Sequence, residues 1–267
     1  MTWIRLGYRK TPLPLLFCLA LLALAATFPP TAAAQPGVIR VAAAADMEPV
    51  LQVMGPIFER KSGQKLKVSF GSSATLAQQL QNGSPADLFL SADFYFAEQV
   101  VAANLAETRQ PVPYATGLLV LWARKDSRFK PLSLEALERK DLKAVAIANQ
   151  DRAPYGRAAY AALKKMGLYP NVAPHIVEAE TVAQAAQFAL SGNADLALMS
   201  QTVAMSPKYR DAGTFVLFPP SQYPAIRQCA VVMKNASNRD GAHRLLSFLT
   251  SNEVQGNLPK LGLQAAK

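Results

Sequence analysis

Apolar and polar positions alternate in two rhythms along most of the chain. The run VIRVAAA over 38–44 is short and apolar, which predicts a buried strand. Between 47 and 61, Val50, Leu51, Met54 and Phe58 recur at helical spacing, and Gly63 supplies the stop. A strand over 66–70, a helix through Leu76 and Leu80 to Gly83, a strand over 87–90 and a helix over 92–101 follow. Beyond Pro111-Val112-Pro113 a second series begins. It has a strand over 118–122, a short helix over 134–139, a strand over 144–148, helices over 155–166 and 181–190, and a strand over 195–199. Late strands over 215–218 and 230–233 are separated by prolines, and helices over 242–249 and 253–258 close the chain. Such alternation predicts an α/β fold of parallel sheets covered on both faces. There is no internal repeat and no low-complexity linker between the two series. The expected organisation is therefore two α/β lobes around a cleft, one built from 35–113 with 228–267 and the other from 114–227.

The first 34 residues stand apart from this pattern. Arg5, Arg9 and Lys10 precede the apolar run LPLLFCLALLALAA, and Ala32-Ala33-Ala34 offers a small-residue exit. A basic start, a short apolar middle and such an exit predict a cleavable signal peptide and an exported product. Pro29-Pro30 interrupts the run, which is shorter than the roughly 20 residues a spanning helix needs. Cleavage after Ala34 lowers the formal charge from +10 to +7 and leaves Cys229 as the only cysteine. A lone thiol in an apolar run predicts a packing role, and no disulfide framework or cysteine metal site is available. The positive charge suits solubility or an anionic ligand; export and the lack of basic runs argue against nucleic acid.

Two junctions combine a strand end with a helix start, where free N–H groups receive ligands in open α/β sheets. At Ala42-Ala43-Ala44-Ala45-Asp46, small side chains let a ligand approach the backbone. At Gly71-Ser72-Ser73-Ala74-Thr75, a glycine turn places hydroxyls and N–H groups together. Neutral donors of this kind fit a compact oxyanion, and ordinary helix capping accounts for the same residue types. Nucleotide-binding glycine patterns are absent, as is a GxSxG elbow. His175 and His243 have no metal-ligand spacing, and Asp87 and Asp93 are explained by strand-end and helix-cap roles. No nucleophile–base pair supports an enzyme.

Over essentially the whole exported part, the chain resembles the periplasmic molybdate-binding proteins of ABC importers. The stretches that carry the likeness are IRVAAAADMEPVLQVMGPIFERKSG, FGSSATLAQQLQNGSPADLFLSAD and NEVQGNLPKLGL. The resemblance implies a type II periplasmic binding fold, two α/β lobes closing on one tetrahedral oxyanion, molybdate or tungstate. It implies no cofactor and no bound metal cation, a monomer, and an inner-membrane ABC permease as partner. By resemblance, Ser73 donates its hydroxyl and N–H, with Ser72 beside it. Tyr155, before Gly156 in Ala153-Pro154-Tyr155-Gly156, and Val182, at the start of a helix, are the matching contacts from the other lobe. A tyrosine that closes the pocket in one branch of the family falls on Ser200 here. On these grounds Ser73→Ala is expected to weaken binding with little effect on folding.

The chain departs from the family at Ala45-Asp46, where Ser, or Thr-Asn, stands in the two branches. An ionised carboxylate beside a dianion in a dry cleft costs on the order of several kcal/mol. Three readings are open. Asp46 folds back to cap the Glu48 N–H, Pro49 having none to offer; or it is protonated and donates; or the ligand is a different small molecule.

Overall fold

The computed structural model describes Thr2 and residues 37–266. The signal-peptide reading and Cys18 lie outside the described residues. The strands and helices run in the order β1 (Val38–Ala44), α1 (Glu48–Ser62), β2 (Lys65–Gly71), α2 (Ser73–Gln81), β3 (Leu88–Ser91), α3 (Phe94–Ala102), β4 (Val112–Gly117) and β5 (Leu119–Arg124). They continue as β6 (Val145–Ala148), α4 (Pro154–Lys165), α5 (Tyr169–Val172), β7 (Ile176–Ala179), α6 (Val182–Ser191), β8 (Leu196–Ser200), α7 (Gln201–Met205) and α8 (Pro207–Ala212). The last are β9 (Gly213–Leu217), β10 (Ile226–Val232), α9 (Arg239–Leu249), α10 (Asn252–Asn257) and β11 (Leu263–Ala265). Among the described residues no helix is long and apolar enough to cross a membrane.

The strands form two sheets, one ordered β11-β4-β10-β3-β1-β2 and the other β7-β6-β8-β5-β9. Both are mixed, which corrects the expectation of parallel sheets. The parallel members are β2, β1 and β3 in the first sheet and β7, β6 and β8 in the second. The reversals follow from the crossings. β4 ends at Gly117 where β1 and β3 also end, and after Leu118 the chain enters the second sheet as β5. A strand that starts where its neighbours finish must run against them, and β5 pairs antiparallel with β8. The return between Leu217 and Ile226 does the same to β10, which pairs antiparallel with β3 and β4. The crossings thus fall at Leu118 and within 218–225, against expected boundaries of 113/114 and 227/228.

Pro111-Val112-Pro113, read from the sequence as a separator, instead opens β4. Pro113 has no N–H for the ladder, and it faces Cys229 where β10 shifts register between Gln228 and Cys229. A bulge is the usual accommodation for an interior strand proline, and it re-aims the neighbouring side chain.

Helices cover both faces of the first sheet. α1 and α9 pack Met54, Phe58, Leu245 and Leu249 against one face, while α2 and α3 pack Leu76, Leu80, Phe96 and Val100 against the other. The second sheet is built around Leu121, Trp122, Ile147 and Leu198, all buried. Ala44, Ala45 and Ala92 from the first sheet join that second core, so the two halves share apolar contact where their strands end. Cys229 is buried in β10, in the packing role expected of it.

Candidate functional site

Four chain turns converge where the strands of both sheets finish. β1 passes through a 3-10 turn over Ala45–Met47 into α1, and β2 passes through Ser72 into α2. From the second sheet, β6 leads to α4 and β7 leads through Thr181 into α6. Ala45, Asp46, Ser72, Ser73, Tyr155 and Val182 all line one small cavity there, together with Ala92, Ala153 and Thr181. Its volume is about 10 Å³, room for about one water molecule. Three helix N-termini face this space, and the first-turn N–H groups of a helix have no partner within it.

The donors differ in how far they are free. Ser73 Oγ accepts the Ala92 N–H at 3.1 Å, which fixes the oxygen and leaves its own proton to donate. The buried Ala92 N–H depends on that oxygen, so Ser73→Ala removes a structural partner as well. This bond argues against the expectation that the change has little effect on folding. Ser72 caps α2 by accepting the Thr75 N–H at 3.2 Å, and its hydroxyl lies 2.8 Å from Thr75 Oγ1 and 3.4 Å from Glu180 Oε1. Ser72 therefore offers the cavity its backbone more than its hydroxyl. Thr181 caps α6 through the Gln184 N–H, leaving Val182 at the first helical position. Ser200 caps α7 by accepting the Val203 N–H, and its hydroxyl donates to Thr202 Oγ1 at 2.9 Å.

Two glycines set the position of Tyr155. A Cβ on Gly156 would come within 2.2 Å of the Ala148 carbonyl oxygen, so only glycine lets α4 start this close to β6. A Cβ on Gly117 would meet the Tyr155 phenol oxygen at 2.1 Å. The ring thus reaches from the second sheet onto the last residue of β4, beside the crossing.

Asp46 does not cap α1. The Glu48 N–H already donates to the Ala45 carbonyl, and Met47 occupies the cap position with no side-chain bond. The 3-10 turn has moved the helix start past Asp46, and the carboxylate, 1% exposed, turns toward the first sheet instead. There its Oδ2 accepts a hydrogen bond from Gln228 Nε2. The same amide nitrogen lies 3.3 Å from the Tyr155 phenol oxygen, and Gln228 Oε1 accepts from the Tyr114 hydroxyl at 2.8 Å. Thr202 Oγ1 donates to the Asp46 carbonyl at 2.7 Å. Burial pushes the Asp46 carboxyl up to about 7 against the opposing bonds from Gln228 and Tyr155. Burial and the neighbouring Asp46 charge push both tyrosines above their ordinary range.

Gln228, Tyr114 and Glu180 escaped the sequence reading. A glutamine inside the run IRQCAVV was the available signal, because a polar side chain in a buried strand needs polar partners. Asp93 caps α3 by accepting the Phe96 N–H and pairs with Arg157 at 3.1 Å. Asp87 sits at the opposite end of β3, so the two acids are not a catalytic pair. His243 meets Glu107 at 2.9 Å on an exposed face. Among the described residues no cluster of three His, Cys, Asp or Glu is placed to hold a metal ion.

Residues 39–264 match the model of the family described as bacterial extracellular solute-binding protein. The chain belongs to that family. It is 32% identical to the molybdate-binding protein ModA of Rhodobacter capsulatus over 225 residues, 84% of this chain and 87% of the relative. The ModA of Azotobacter vinelandii is 34% identical over 221 residues, 81% of this chain and 86% of that protein. The solved periplasmic molybdate-binding protein of Azotobacter vinelandii superposes with a TM-score of 0.77 at 27% identity, covering 86% of this chain and all of that one. The fold is the type II periplasmic binding fold, two α/β lobes with a cleft between the strand ends.

Proposed function

We propose that the protein is the periplasmic solute-binding component of an ABC importer, taking molybdate or tungstate between its lobes and presenting it to an inner-membrane permease. One observation carries the reading. Neutral donors and helix N-termini from both lobes surround a single small cavity, and among the described residues no cation lines it. Hydrogen bonds and helix dipoles suffice to hold a compact oxyanion without a counter-charge. The family and the names of the similar proteins support the same ligand class. A four-oxygen anion needs more room than one water, so the lobes part to admit it. The hinge is the pair of crossings at Leu118 and 218–225. Closed, the lobes are held by the Ala74 N–H donating to the Arg152 carbonyl at 3.1 Å, Thr75 Oγ1 donating to Glu180 at 2.7 Å, and the Arg157–Asp93 pair.

The reading is tested by a thermal-shift panel of molybdate, tungstate, chromate, sulfate and phosphate. A ligand at about 100 times Kd stabilises the fold by roughly 2.7 kcal/mol. Molybdate and tungstate, nearly equal in size, are expected to give the largest and similar shifts. No shift with any oxyanion would overturn the reading. Asp46 favours one second possibility, an oxyanion carrying its own proton for the carboxylate to accept; a phosphate shift exceeding that of molybdate would select it.

A further inference from the structure

We propose that the cleft takes up one proton from solvent with each oxyanion it binds, and that the proton resides on Asp46, whose carboxyl then donates to the anion. The inference rests on the oxyanion reading above. Asp46 lines the same small cavity as Ser73, Tyr155 and Val182, so an anion held there shares its space with the carboxyl group. Water cannot screen the pair, since the side chain is buried.

Among the described residues, the groups that face Asp46 supply no counter-charge. β10 contributes the Gln228 amide, α4 the Tyr155 phenol, β4 the Tyr114 phenol behind Gln228, and α7 the Thr202 hydroxyl. α6, which packs on the Asp46 turn, has no ionisable side chain between Val182 and Ser191. The nearby charged residues are engaged elsewhere. Arg157 pairs with Asp93, Arg152 with Glu180, and Lys65 with Glu59, while Arg227 lies over the Phe94 ring. Lys67 lines a separate hollow with Arg40 and Ser84, and Glu48, next along α1, acts on Tyr209.

The hydrogen-bond directions add a second constraint. Gln228 Oε1 is committed to the Tyr114 hydroxyl, so its amide N–H groups must face Asp46 and Tyr155. The network thus solvates a lone carboxylate with neutral donors. A dianion arriving beside that carboxylate meets a like charge that no cation offsets, and a proton from solvent removes it. Burial has already brought the carboxyl to about 7, whereas Tyr155 and Tyr114 stay protonated well above that range.

Calorimetric titration of the exported chain with molybdate, in Hepes and in Tris, separates proton uptake from intrinsic heat. At pH 8 the wild type should take up close to one proton per anion. Its Kd should rise about tenfold per pH unit above 7 and level off below it. Asp46→Asn should bind with no proton uptake and a flat profile, and at least as tightly as wild type at pH 8. Asp46→Ser, which restores a neutral donor without the amide, should behave alike if the amide disturbs folding. Wild-type binding without proton uptake overturns the inference and leaves the oxyanion reading intact. Uptake that persists in both variants also overturns it, assigning the proton to another group such as Asp93. No binding of molybdate by any of the three proteins overturns the oxyanion reading, and this inference with it.

Discussion

Asp46 and Asp87 are both buried carboxylates beside strands of the first sheet, and they are held in opposite ways. Asp87 sits at the end of the sheet away from the cleft. It accepts the Arg40 N–H at 2.7 Å, the Ser237 N–H at 2.7 Å, the Asn238 N–H at 3.1 Å and the Ser237 hydroxyl at 3.0 Å. Burial pushes its carboxyl up, but these donors together outweigh that and hold it below the ordinary range. Asp46, at the cleft end, has one amide and a phenol near it, and there burial prevails. A carboxylate surrounded by backbone N–H groups is a structural fastener, here joining β1, β3 and the loop after β10. One left with too few donors keeps a proton within reach, which is useful only where something binds.

The sharpest break of this comparison is Asp87→Ala, which strands three part-buried N–H groups and a hydroxyl. Chemical denaturation should show a loss of about 3–5 kcal/mol, while the folded fraction binds its anion with unchanged Kd. A loss below 1 kcal/mol would show that the donors find water or other partners.

pH separates the two acids by sign. The Asp46 carboxyl is raised from 3.8 to about 7, so the folded state holds a proton that the unfolded chain releases. The stability it contributes is full below about pH 4 and is lost as pH rises to about 7, by at most roughly 4 kcal/mol. The depressed Asp87 group acts oppositely, its contribution being lost as pH falls below the ordinary carboxylate range. Denaturation of the ligand-free protein at several pH values should show the descending limb in wild type and not in Asp46→Asn. Equal limbs in both proteins would assign the loss to another group.

The smallest effect is expected for Ser73→Ala, which belongs to both sides of the comparison. Losing the donor should weaken anion binding by about 1–3 kcal/mol, and orphaning the Ala92 N–H should lower stability by about 1–2 kcal/mol. Titration and denaturation of the same variant read the two separately. Unchanged affinity with reduced stability would make Ser73 a fastener like Asp87.

The βα alternation was legible because each element has its own period. The helix over 48–62 and the strand over 38–44 emerge from the placement of Val50, Leu51, Met54 and Phe58 and from the unbroken run VIRVAAA. β4 was not, because VPYATG contains a proline and a glycine that only a bulge at Tyr114 against β10 and the Tyr155 ring account for. β7 and β11, IVEA and LQA, are short and part-exposed and lack the apolar run that marked the equally short β3 and β6.

By itself, the sequence determined the two series of elements, the strand-to-helix junctions at Ala45 and Ser72, and the family likeness, because those are local patterns or long matches. It also marked Asp46 as the departure. Tertiary structure alone decided what that departure does. The cap reading depended on a helix beginning at residue 47, and a 3-10 turn had already given the Glu48 N–H to Ala45. The partners that matter, Gln228, Tyr155 and Tyr114, lie 182, 109 and 68 residues away along the chain. Gln228 and Tyr114 come together because β10 returns to the first sheet antiparallel beside β4, whose extra residue, Tyr114, bulges opposite the Gln228–Cys229 step. A side chain's protonation depends on which dipoles and charges surround it in space, and no window along the chain contains them.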